Sequence, residues 1–256
     1  MYSCFIVSHG VDPDNTGKTI KGVIRMTETA VKKNRITIPI LIIVTVFILI
    51  KILTRTGIMS SITPPTVSLW IQTIQYLGLG VLAIYAFRDD FKEAIGEWKA
   101  HPVKSLLWVL GTFIAGFIVE ILASIPIYML YPDYESINDN TASSAAAALP
   151  AFVGILALGI LGPLTEEAFF RFFMVKRLSG KIPAWICIVI SSMAFGFMHA
   201  KTFTAAELLY YLPTVMQAAV WAFAVYKTRN ITMSLIMHLM INLPAVLMLY
   251  IGAALG

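Results

Sequence analysis

Charge is what this sequence has least of. Only 13% of its 256 residues are Asp, Glu, Lys or Arg, against roughly a quarter in an ordinary soluble domain. With 58% hydrophobic residues and a mean hydropathy of +0.80, the chain belongs in a bilayer. The net charge of +5 does not mark a nucleic-acid binder, because the basic residues form no single patch and sit at the ends of apolar runs. Cysteine is nearly absent as well. Cys4 lies in a polar tail and Cys187 in an apolar run, which speaks against a disulfide and leaves no cysteine-based metal motif. The first 20 residues lack the charged start, apolar core and small-residue cleavage site of a signal peptide; the membrane segments themselves are expected to direct the chain. TGKT at 16–19 lacks the glycine that a phosphate-binding loop needs five residues before Gly17, where Asp12 stands.

What is present is a series of apolar runs. A membrane-crossing helix takes about 20 mostly apolar residues. Seven runs qualify as spans, at about 36–53, 67–87, 105–130, 147–173, 183–199, 205–226 and 231–252. The fold class they predict is all-α, a polytopic membrane helix bundle of about seven transmembrane helices. A polar tail, 1–35, precedes the transmembrane domain, 36–256; Met26 is a candidate alternative start. Gly78, Gly80, Gly111 and Gly116 favour close helix contact. Arg88, Lys92, Lys99 and Lys104 follow the second run, Lys176, Arg177 and Lys181 the fourth, and Lys227 and Arg229 the sixth. The loop at 132–146 has no Lys or Arg but holds Asp133, Glu135 and Asp139. This alternation predicts an integral membrane protein with a cytoplasmic N-terminus and, for seven spans, an external C-terminus.

Residues 164–173 read LTEEAFFRFF. Glu167 and Arg171 are one helical turn apart and can pair. Glu166 points about 100° away and has no cation near it along the helix. An ionised residue at the centre of a span costs on the order of 2.5–3.5 kcal/mol on insertion scales, and usually faces a bundle interior or a water-filled cavity. The bland alternative is a helix that ends near Leu164 and leaves the charges solvated. Glu120, in the middle of the third run, reads as a glutamic acid packed between helices, with a gating or supporting role as the alternative.

Two of the four histidines lie in apolar runs. AFGFMHA places His199 one turn after Phe195, and SLIMHLMINLP places Asn242 one turn after His238. Each alone reads as a helix–helix contact. Together with Glu166 they make a hydrolytic constellation, in which a carboxylate takes a proton from water and imidazole holds that water or a metal. An amide beside an imidazole can donate to an oxyanion. Counting about 1.5 Å per residue from the flanking basic residues puts Glu166 and His238 at ~15 and ~14 Å depth but His199 at ~27 Å. That difference implies either a deep cavity or a misplaced boundary for the fifth run.

The ordered motifs Glu166-Glu167-x-x-x-Arg171, Phe195-x-x-x-His199 and His238-x-x-x-Asn242 resemble the CAAX-protease and bacteriocin-processing family of intramembrane proteases, over about 147–245. The resemblance implies a peptide or membrane-protein substrate. It makes Glu166 the general base, with His199 holding the attacking water and His238 and Asn242 stabilising the oxyanion. Glu167 and Arg171 would orient the site. If a metal is bound, Glu166, His199 and His238 would be the three ligands of a zinc with an open fourth position. No HExxH, GxSG or GxGD motif is present, so zincin-like, serine and aspartyl proteolysis are poor readings. The alternative is a non-catalytic immunity or regulatory protein of the same fold; a small transporter finds little support without an internal repeat.

Overall fold

A computed structural model describes residues 37–136, 143–144 and 148–255, and the readings of the tail at 1–35 lie outside them. Among the described residues there are helices and no strands. They run α1 (Ile38–Arg55), α2 (Ile58–Ile62), α3 (Pro65–Ala86), α4 (Arg88–Ala100) and α5 (Pro102–Leu130). Further along the chain come α6 (Ala151–Gly180), α7 (Ala184–Phe197), α8 (Ala205–Thr228) and α9 (Thr232–Leu255). Six of these are long and apolar enough to cross a membrane; α7, with 14 residues, is the shorter seventh. The expected polytopic helical bundle is the observed architecture, with the fifth run shorter than a full span.

Burial identifies the centre. The apolar window of α6 is 67% buried and that of α8 50%, whereas those of α1, α5 and α9 are only 17% buried. The outer helices turn residues such as Leu107, Ile114, Ile118 and Leu122 outward, which suits acyl chains rather than water. Two core clusters flank α6. Ile40, Ile43, Ala83, Phe87, Leu164 and Phe172 pack in one, and Phe47, Leu79, Phe170, Phe195, Trp221 and Met237 in the other.

The stretch read as a basic loop after the second run is the amphipathic helix α4. Asp89 and Asp90 occupy its first turn and Lys99 its last, an order that complements the helix dipole. Its buried Asp90 receives Lys176 at 2.7 Å and forms a second ion pair with Arg177, both from the end of α6. Trp98 at the other end donates to Thr232 Oγ1 at 2.9 Å, fixing α4 to the start of α9. These contacts explain why α6 runs to Gly180 instead of stopping near 173: Lys176 and Arg177 are buried and paired, not solvated. Arg229 closes the same end, donating to the Lys176 carbonyl at 2.6 Å and to Ser179 at 2.9 Å. It takes a left-handed conformation, φ 56°, at the end of α8, and Asn230 Oδ1 then accepts from the Thr232 amide at 2.9 Å to start α9.

Candidate active site

The element that carries the two glutamates is not uniformly α-helical. Gly162–Glu167 is α-helical, but Ile155–Leu161 before it and Ala168–Arg177 after it wind as π-helix. Pro163 sits at the first junction; it has no N–H to give the preceding turn and its ring crowds the carbonyl four residues back. Widened turns of this kind recur at functional sites because they re-aim side chains out of the regular helical sweep.

Glu166, Glu167 and Arg171 are 5%, 0% and 0% exposed, so the solvated helix end is excluded. Arg171 Nη1 lies 3.0 Å from Glu167 Oε1, the pairing expected from their spacing. The guanidinium also sits 4.0 Å from the centroid of the Phe195 ring, a cation–π contact in a dry setting. Glu167 has two further partners, both from α9. Ser234 donates to Oε2 at 2.5 Å, and His238 Nδ1 lies 3.0 Å from Oε1. A carboxylate paired with a guanidinium is an acceptor only, so His238 carries its proton on Nδ1. Its Nε2 then faces Glu166 Oε2 across 3.7 Å.

The other oxygen of Glu166 is also engaged. Tyr76 of α3 donates to Oε1 at 3.0 Å, and Lys51 of α1 donates to the Tyr76 oxygen at 2.9 Å. The missing cation is thus supplied from 115 positions away in sequence, through a phenol. Sequence reasoning missed both residues. Their signal was a lysine inside the first apolar run, FILIKIL, and the polar cluster QTIQY inside the second.

His199 falls in the turn just past α7, its ring against Phe195 at 5.4 Å and Tyr211 at 6.0 Å. Phe195 also meets the His238 ring at 5.5 Å, so one aromatic side chain contacts both imidazoles. Gly196 makes this possible: a Cβ there would lie 2.8 Å from the Val215 backbone nitrogen, so α7 meets α8 almost backbone to backbone. The structure puts α7 within two residues of the expected fifth run at both ends, while α6 runs seven residues past the expected 173. Asn242 lies half-buried on α9, one turn beyond His238. Glu120 accepts a hydrogen bond from Gln217 of α8 at 2.5 Å, a packed interhelical contact.

A zinc held by Glu166, His199 and His238 would need all three to converge. Glu166 Oε2 and His238 Nε2 converge, but among the described residues no group of three His, Cys, Asp or Glu side chains is placed to hold a metal. Two donors fall short of the three protein ligands of a catalytic zinc.

Two buried glutamates of α6 and a buried histidine of α9 meet inside a bundle of apolar helices, which makes this a polytopic helical membrane protein with ionisable groups at its centre. Residues 148–244, which hold every motif residue, match the family described as type II CAAX prenyl endopeptidase Rce1-like. The resemblance to the CAAX-protease and bacteriocin-processing family is borne out over this segment. The chain is similar to the "Putative membrane peptidase YdiL" of Bacillus subtilis, 29% identical over 70% of this chain and 71% of that protein. It is also similar to the UPF0177 protein YbdJ of Lactococcus lactis, 28% identical over 64% of this chain and 69% of the relative. A second protein of that organism, UPF0177 protein YbdI, is 24% identical over 55% and 74%. No solved structure gives a significant match.

Proposed function

We propose that the protein is an intramembrane endopeptidase that hydrolyses a peptide bond of a membrane-associated peptide or protein, using water activated by Glu166. The observation that carries this reading is the facing pair Glu166 Oε2 and His238 Nε2, 3.7 Å apart. In the neutral Nδ1–H tautomer of His238 these are two lone-pair groups, which repel at that separation unless a proton donor lies between or beside them. A water molecule suits the place: it donates one hydrogen to Nε2 and the other to the carboxylate. As the water oxygen attacks the amide carbonyl, Glu166 takes its proton and later delivers it to the leaving amine. Glu167 and Arg171 hold the His238 tautomer that accepts from the water. This exchanges the two imidazole roles implied by the resemblance: His238, which faces Glu166, takes the water, and we assign His199 with the Asn242 amide to the oxyanion side, where preorganised donors act on charge that develops only in the transition state.

The pairing of α4 with the basic end of α6 supports one sidedness. Lys176, Arg177 and Arg229 meet at that end, which we assign to the cytoplasm by the bias of basic residues toward that side.

The test compares wild type with Glu166→Gln and His238→Ala, purified in detergent, on a library of membrane-anchored peptides. Both variants are expected to lose cleavage by at least about 100-fold while eluting as folded protein. Full cleavage by both refutes the assignment. Cleavage is further expected to persist in a chelator; loss on chelation, restored by zinc, replaces direct activation with a metal-bound water.

A further inference from the structure

The contacts on the far side of Glu166 assign Lys51 and Tyr76 as positioning residues for the hydrolytic carboxylate. The proposal rests on the functional reading above and extends it to a part of the chain outside the family-matched segment, residues 148–244. A carboxylate that serves as a base must present one oxygen to the water and keep that presentation through the reaction. Glu166 can turn about its terminal torsion, which is broad for this side chain. Tyr76 removes that freedom by donating to Oε1 at 3.0 Å, which leaves Oε2 for the gap facing His238.

Tyr76 needs its own orientation, since a phenolic hydroxyl both donates and accepts. Lys51 settles it. An ammonium has only donors, so at 2.9 Å from the Tyr76 oxygen it leaves the phenol proton no direction but Glu166. The ammonium also lies 5.3 Å from the Tyr76 ring and 5.4 Å from the Phe47 ring, which hold the end of the lysine where α1 passes α3. A purely structural lysine in a span would be expected to reach out to the interface; this one stays half-buried and turned to a phenol.

The experiment measures kcat and KM on the best-cleaved peptide of the anchored library for Tyr76→Phe, Lys51→Met, Lys51→Arg and the double variant Tyr76→Phe/Lys51→Met. Glu166→Gln is measured in the same series. Tyr76→Phe is expected to lower kcat by about 100-fold at nearly unchanged KM, the cost of a misplaced reacting group. Lys51→Met should fall in the same direction, Lys51→Arg should recover much of the loss, and the double variant should be no worse than Tyr76→Phe because the lysine acts through the phenol. Melting temperatures in detergent identify any variant that fails to fold, and Lys51→Met against Lys51→Arg then carries the comparison alone. Wild-type kcat in Tyr76→Phe and Lys51→Met, with Glu166→Gln inactive, overturns the positioning role and leaves the peptidase reading intact. Losses that multiply in the double variant also overturn it. Cleavage that survives Glu166→Gln, or no cleavage at all, removes both.

Discussion

Glu167 has no exposed surface, and its neighbours Ser234, His238 and Arg171 meet it at 2.5, 3.0 and 3.0 Å. Removing one member of a buried ion pair leaves the other charge without compensation, at a cost of about 3–5 kcal/mol. Glu167→Gln is therefore expected to lower the melting temperature in detergent sharply, because Arg171 stays buried and charged. The double variant Glu167→Gln/Arg171→Met should recover a good part of that stability and remain inactive, since the His238 tautomer is no longer imposed. Equal melting temperatures for the single and double variants would show that the pair is not coupled. This pairing could be read from sequence because i,i+4 spacing on one helix fixes a distance. The Lys51–Tyr76–Glu166 chain could not: its members lie on three helices, 25 and 90 positions apart, and no local rule relates them.

Helices differ in how well the sequence announces their ends. Apolar runs located the six long apolar helices among the described residues and counted the shorter α7 as a seventh span, since hydropathy reports apolar content and not helix length. The ends moved where charges were buried, as with Lys176 and Arg177 at the end of α6, and where a polar stretch folded, as in α4. The π-helical winding around Gly162–Glu167 had only Pro163 and the neighbouring glycines as a signal. Close helix contact was readable as a tendency and not as a position. Of the glycines expected to allow it, Gly80 meets Leu161, with a Cβ there 2.7 Å from the Leu161 Cβ and 3.0 Å from its carbonyl oxygen, while Gly78 and Gly111 face open space. Gly80→Val is expected to push α3 from α6, costing about 1–3 kcal/mol by overpacking. It should also lower cleavage, because Tyr76 lies one turn away on α3. Gly78→Val should leave both melting temperature and turnover near wild type. Parallel stability and activity measurements on the two variants check this, and equal behaviour would show that the α3–α6 approach does not set the site.

At the scale of the molecule, α6 is enclosed by helices whose outer faces suit lipid, and its basic end is tied to α4. The assignment of that end to the cytoplasm comes from counting Lys and Arg and is a prediction. Two exposed positions separate the faces: Lys99 at the end of α4 and Asp133 in the loop after α5. Cys187 is buried, so with Cys4→Ser as background an introduced cysteine is the reactive one. In intact cells a membrane-impermeant maleimide is expected to label Asp133→Cys and to spare Lys99→Cys until the membrane is opened. The reverse pattern would invert the protein, place the Lys176–Arg177 end outside and require substrate to approach from the opposite face. Because α4 is fixed to both α6 and α9, the two helices that supply Glu166, Glu167 and His238 are joined by one amphipathic helix. Asp90→Ala, which leaves Lys176 and Arg177 without that partner, is then expected to loosen the α6–α9 spacing and lower turnover from a site it never touches.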